Sequence, residues 1–213
     1  EAEGLAPGNS AFIYRNFGEK MDFTDYTALK MFVHGPDDFP DPSSGASDVE
    51  LILRYGADRE NYYEYRTPVY RGWAAENTVE ADFAACTAIK LKKSESSNEP
   101  PMEIIGNKTY TLKGDPNLQN IKIISIGLRN NKTGEYLNAR VWLDELRMDA
   151  LRDMTGTAAR ANVTTDLAGF MNVNAKVQFQ SADFHGMNTK KGMGDDKKEW
   201  STNLTANLDR FTP

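Results

Sequence analysis

With 213 residues the chain can bury a real core in one large or two small domains. A hydrophobic content of 39% and a charged content of 26% describe an ordinary globular surface, and a net charge of −6 without a basic stripe speaks against nucleic acid. No run of about 18 or more apolar residues occurs, so no transmembrane helix is expected.

Strand signals recur at short intervals along the first part of the chain, separated by turn residues, which is all-β spacing. EAEGLAPGNS at the start carries neither an initiator methionine nor a signal peptide, as expected of a processed product or a piece of a longer polypeptide. AFIYR (11–15) is the first strand signal, followed by LKMFVHG (29–35), where Leu29, Met31 and Val33 alternate with Lys30, Phe32 and His34. Residues 35–48, GPDDFPDPSSGASD, read as a loop. DVELILRYG (48–56) then puts Val49, Leu51, Leu53 and Tyr55 on one face. In ENYYEYRTPVY (60–70), Tyr63, Tyr65 and Val69 share a face while Glu64 and Arg66 point the other way. That pattern fits a half-buried core strand, and also an aromatic platform for a ligand; Pro68 suits the end of a strand.

Residues 77–93 read as a short strand on Val79, Ala81 and Phe83 running into a helical turn, the one plausible helix. SESSNEPP (94–101) is expected to be a surface loop and KTYTL (108–112) a strand. IKIISIGLR (121–129) and ARVWLDELRM (139–148) are apolar on both faces, which predicts strands covered on two sides. Beyond residue 150 the texture changes. Met171, Val173, Ala175, Val177 and Phe179 alternate strictly with Asn172, Asn174, Lys176, Gln178 and Gln180. A polar, glycine-rich loop (186–199) and a second alternating stretch, WSTNLTANLDRF (200–211), complete a long amphipathic hairpin. It fits a surface hairpin with one face on a core, or a piece of an outer-membrane β-barrel.

Chemistry-bearing clusters are few. Cys86 stands alone and reads as a small buried hydrophobe, and His34 and His185 make no metal-ligand cluster. His34, at the end of a strand beside Gly35, reads as a hydrogen-bonded structural histidine. Four glycosylation sequons begin at Asn107, Asn131, Asn162 and Asn203, a frequency chance supplies in an Asn/Thr-rich β protein. Asp37, Asp38, Asp41 and Asp48 crowd one loop that could hold calcium, without the EF-hand spacing, so no cofactor is assigned. Asp144 and Glu145 are adjacent, and adjacent strand residues point to opposite faces. The expectation is one solvated acid and one paired with Arg140 or Arg147; a meeting of Asp144 with Glu64 across strands has no support in the pattern. No nucleophile elbow, P-loop or dinucleotide fingerprint is present, so no catalytic residue is assigned.

Several segments carry a resemblance. YTALKMFVHG, LRYGADRENYYEYRTPV, GDPNLQNIKIISIGLRN and ARVWLDELRM are similar, in order and spacing, to segments of the SprA/Sov family. The family's motifs match Met31–His34, Arg54–Asp58, Asn61–Tyr65, Gly114–Leu118 and Val141–Arg147; TDLAGFMNVNAKVQF and STNLTANLDRFTP match its later strands. The likeness covers most of residues 21–213. Asp115 and Asp144 stand where the family often has Asn, and Gly169 where it has Asp, which marks a divergent member.

The resemblance implies a fragment of a giant outer-membrane translocon of the type IX secretion and gliding-motility machinery, with the domain at the cell surface. Implied partners are other parts of the same long chain, secretion-system proteins and secreted cargo. The fold expected is all-β: a jelly-roll-like antiparallel β-sandwich over 10–150, then an amphipathic β-hairpin over 151–213 that either joins a larger barrel, since closure takes about eight strands or more, or folds back on the sandwich. Tyr63 and Tyr65 are then core residues, and Tyr62 and Tyr70 the candidates for a partner surface. Two other functions fit the pattern. A carbohydrate-binding module would show two or three coplanar exposed aromatics, and a jelly-roll glycosidase would turn on Glu145 and a second carboxylate in one cleft.

Overall fold

The computed structural model describes residues 1–95, 101–151, 155–169, 171–186 and 195–207. The chain falls into two compact units, Glu1–Arg152 and Asp153–Pro213.

The first unit contains β1 (Ala2–Leu5), β2 (Ser10–Met21), β3 (Tyr26–His34), β4 (Val49–Gly56), β5 (Tyr62–Pro68) and β6 (Val79–Asp82). The helix α1 (Phe83–Glu95) comes next, then β7 (Met102–Ile105), β8 (Lys108–Lys113), β9 (Ile121–Asn130), β10 (Leu137–Ala139) and β11 (Trp142–Leu151). A six-stranded sheet runs in the order β2-β9-β4-β5-β8-β7, a three-stranded sheet in the order β11-β3-β6, and β1 pairs with β10. Each of these pairings is antiparallel. The result is an all-β sandwich with one α-helix among the described residues.

Its core follows the alternation in the sequence. Leu29, Met31 and Val33 from the small sheet meet Val49, Leu51, Leu53, Tyr55, Tyr63 and Tyr65 from the large one. Each large apolar side chain sealed there contributes on the order of 2 kcal/mol. Phe83, Ala85, Cys86 and Ile89 come from α1, and their three- and four-residue spacings give the helix a buried stripe. Phe23, Tyr55, Tyr63 and Phe83 pack ring against ring at centroid distances of 5.7–6.3 Å. Tyr63 and Tyr65 are therefore core, as their face predicts.

Several expectations are corrected. The first strand signal extends to twelve residues, and β1 and β7 were not predicted. The helical turn is a helix of 13 residues that begins at Phe83. β9 is central, yet only its core face is sealed: Ile124 and Leu128 are buried while Ile123 lies half-open on the outer face. β11 is an edge strand, with Trp142 58% and Leu146 42% exposed, because the small sheet ends there. Much of the loop expected over 94–101 lies outside the described residues.

The second unit is a meander of β12 (Ala158–Leu167), β13 (Met171–Gln180) and β14 (Lys197–Ala206). The two-stranded hairpin is thus three-stranded: the stretch before Met171 is a strand of its own, turned back at Ala168–Gly169. Much of the expected glycine-rich loop and the end of the last segment lie outside the described residues.

Candidate functional site

Tyr62 and Tyr70 have different fates. Tyr70 is 7% exposed, so the expectation that it stands free is corrected. Val69 carries the chain into the core, and Asn77 holds the backbone of Tyr70. Asn77 Oδ1 accepts from the Tyr70 amide at 2.7 Å, and Nδ2 donates to the Tyr70 and Gly72 carbonyls at 2.8 and 2.9 Å. Gly35 lets β3 pass close by, since a Cβ there would collide with the Tyr70 carbonyl oxygen.

Tyr62 is half-buried on the outer face of the large sheet, in a groove of about 330 Å³ lined also by Phe12, Tyr14, Arg54, Asp58, Arg59 and Ile123. The groove is organised by Arg54. Its guanidinium lies between two rings, 4.2 Å from the Phe12 centroid and 4.7 Å from that of Tyr62, and its Nε donates to Glu64 Oε2 at 2.6 Å. Gly127, which faces Ile52 of β4, leaves the space in which the Phe12 ring lies. Glu64 is only 8% exposed and takes a second cation, with Arg66 Nε 2.9 Å from Oε1. Arg59 lies over the Tyr14 ring at 5.2 Å. Asp58 caps the loop entering β5 by accepting from the amides of Glu60 and Asn61, and those hydrogen bonds hold its carboxyl below the usual range. Aromatic rings interleaved with arginines give the groove the composition of an interaction surface.

The adjacent acids are arranged unexpectedly. β11 carries a bulge between Asp144 and Arg147, with Glu145 at a φ of 51°. Such a backbone costs a non-glycine residue about 1 kcal/mol. The bulge breaks the alternation, so Asp144 and Glu145 line one cleft instead of opposite faces. The expected pairing with arginine does hold: Arg147 Nη1 donates to Glu145 Oε2 at 2.6 Å. Asp144 Oδ1 accepts the Glu145 amide at 2.9 Å. Glu64 does not join them, being committed to its two arginines in the other sheet.

His34 is held by rings, its centroid 5.1 Å from Trp73 and 5.2 Å from Trp142. Both indoles are more than half exposed. Trp73 was not singled out from the sequence, because it lies in an irregular segment where no periodicity marks it. His34 makes 25° with Trp142 and 70° with Trp73, so these rings form a corner and not the coplanar platform that a polysaccharide-binding face requires. In the aspartate loop, Asp41 caps the turn Pro42–Ser44 by accepting from Ser43, and lies 3.6 Å from Arg71. Among the described residues no three His, Cys, Asp or Glu side chains gather as a metal site. Cys86 is 1% exposed, with Sγ 2.9 Å from the Tyr55 hydroxyl; burial pushes its thiol up to about 12.

The meander presents a different surface. Its register places Val163, Ala161 and Ala159 beside Ala175, Val177 and Phe179, and Thr202, Trp200 and Lys198 on the other side of them. The reverse face carries Asn162, Thr164 and Asp166, then Asn172, Asn174, Lys176 and Gln178, then Glu199, Ser201 and Asn203. Val163 is 60%, Val177 57%, Leu204 62% and Trp200 80% exposed, so the apolar face is bare. At one end Lys198 Nζ lies 5.8 Å from the Phe179 ring centroid, next to Trp200.

A family model described as motility related/secretion protein, SprA_N, matches residues 1–213. No curated protein matches the chain.

Proposed function

The chain belongs to this family of motility related/secretion proteins, and from that premise we propose that it is a non-catalytic structural and interaction part of a giant outer-membrane translocon for type IX secretion and gliding motility. On this reading the sandwich stands at the cell surface as a docking domain, and the meander is a set of staves in a barrel completed by the rest of the long chain. Cargo and secretion-system proteins are its partners.

The observation that carries the reading is the meander. Each strand has ten residues. At about 3.3 Å per residue and a tilt near 45°, ten residues rise about 23 Å, close to the apolar band of about 25 Å in outer-membrane barrels. One face is mainly apolar across all three strands in register and the other polar, the division between lipid and lumen. Trp200 and Lys198 at one end suit the membrane–water boundary, where amphipathic side chains gather. Among the described residues β12 and β14 are paired on one side only. Their open ladders would be costly in lipid unless further strands continue the sheet.

The test is the size and location of the native polypeptide. An antibody against residues 1–152, applied to separated membranes on a denaturing gel, is expected to stain an outer-membrane band far larger than the 23.8 kDa of this chain. Protease added to intact cells should remove the epitope. A free species near 23.8 kDa in the medium refutes the proposal.

A further inference from the structure

The cleft beside the β11 bulge is separate from the groove around Tyr62. Its volume is about 520 Å³, and its walls include Phe32, Trp73, Asp144 and Glu145. Phe32 and Asp144 face each other across the β3–β11 ladder, and Trp73 closes the side toward the turn Ala75–Asn77. Two anionic side chains are thus set against two exposed aromatic rings. A side wall of this composition appears where a regular strand would have sent Glu145 to the opposite face.

The local charge does not balance. Arg147 offsets Glu145 at 2.6 Å, but among the described residues Asp144 has no ion-pair partner. Lys30, further along the same face, is committed to Glu80 at 3.0 Å and Asp149 at 2.7 Å. Glu76, exposed on the turn that lines the cleft, adds another negative charge. His34 packs against the neighbouring indoles.

These walls suit one class of ligand. A neutral sugar would donate hydroxyl hydrogen bonds to the carboxylate but leave its charge unneutralised, and the rings do not form the flat platform it would stack on. A hard metal ion seeks several oxygen ligands and has no use for aromatic walls. An organic cation uses both, since ring faces and carboxylates attract it together. The cleft already displays this chemistry within the chain, because the Arg147 guanidinium lies 5.1 Å from the Phe32 centroid while bound to Glu145. We propose that the Phe32–Trp73–Asp144–Glu145 cleft binds an alkylammonium or guanidinium group, with Asp144 as counter-ion and Trp73 as the stacking wall. The group is either a free polyamine or a lysine or arginine side chain.

The test uses the 213-residue chain, with the indole proton resonances read by NMR at constant ionic strength. Tetramethylammonium and methylguanidinium are the first probes, and each is expected to shift the Trp73 indole resonance saturably while leaving that of Trp200 in place. Asp144→Asn should weaken binding about threefold to fivefold by this reading, and Trp73→Phe, which removes the reporter indole, by about as much when binding is read by isothermal titration calorimetry. Arg147→Ala, which frees Glu145, should tighten it about twofold. Spermidine and a lysine-containing peptide, compared with the same peptide carrying norleucine, distinguish the two sources of the cation. An equal shift by tert-butanol or by a gluco-oligosaccharide overturns the proposal. So does unchanged binding in a folded Asp144→Asn protein, or weaker binding after Arg147→Ala.

Discussion

Glu64 offers a direct test of how the outer face of the large sheet is held. It is 8% exposed and carries a negative charge between Arg54 at 2.6 Å and Arg66 at 2.9 Å. Replacing it with glutamine keeps the size and one acceptor oxygen but leaves two guanidinium groups facing each other without an anion. Breaking a fully buried pair costs about 3–5 kcal/mol. Here the arginine side chains retain 31% and 20% exposure, and water recovers part of the loss. Arg54 also keeps its place between Phe12 and Tyr62. We expect Glu64→Gln to destabilise the fold by about 2 kcal/mol, lowering Tm by about 4–8 °C in a chain of this length. Thermal unfolding followed by near-ultraviolet circular dichroism reads the buried tyrosines directly. Adding Arg66→Met should return part of the loss, giving a coupling of about 1 kcal/mol in the double-mutant cycle. A Glu64→Gln protein within about 1 °C of the parent, with additive cycle energies, would refute the assignment of Glu64 as the shared counter-ion.

Asn77→Ala removes three hydrogen bonds to the backbone of Tyr70 and Gly72, of whose groups, among the described residues, only the Gly72 carbonyl keeps another partner, the Gly35 amide, and should cost about 3 kcal/mol in chemical denaturation. A cost below about 1 kcal/mol would mean the segment is held elsewhere. Alkaline pH should unfold the sandwich. Burial raises Cys86 from 9.0 to about 12 and Tyr65 from 10.0 to about 12, and pushes Tyr55, Tyr63 and Tyr110 up as well. Because the unfolded chain releases these protons first, their stabilising effect is complete below about pH 9 and is lost as pH rises toward 12. Tyrosinate absorbance rising smoothly, with no step at unfolding, would contradict this. On the meander, Val173→Cys should react with a membrane-soluble maleimide and Asn174→Cys with a water-soluble one in native outer membranes, while Cys86 stays silent in the core. Identical labelling of the two positions would exclude a lipid–lumen division.

The sequence was most legible where a single periodicity decided the outcome. Leu29, Met31, Val33, Leu51, Leu53, Tyr55, Tyr63 and Tyr65 are buried because strand side chains alternate and the apolar set must leave water. Their faces could be read before any fold was known, and so could the register-friendly alternation of β13. The family, too, was visible in linear motifs. The exposure of Trp142 and Leu146 was not, since apolar residues on both faces indicate a covered strand, and the edge position of β11 depends on how many strands the small sheet recruits. Tyr70 lost its expected freedom when the segment through Val69 turned into the core. Asn77, seven residues on, secures that path by contacts no periodicity encodes.

The candidate sites divide in the same way. Local sequence determined that Arg54, Tyr62, Asp144 and Glu145 sit on strands, and which neighbours alternate with them. Only the tertiary structure decided that Phe12, far away in sequence, covers Arg54, and that one residue with left-handed backbone brings two adjacent acids to one cleft. Periodicity is a property of a strand by itself. A bulge, a sheet edge and a groove are set by what the strand meets.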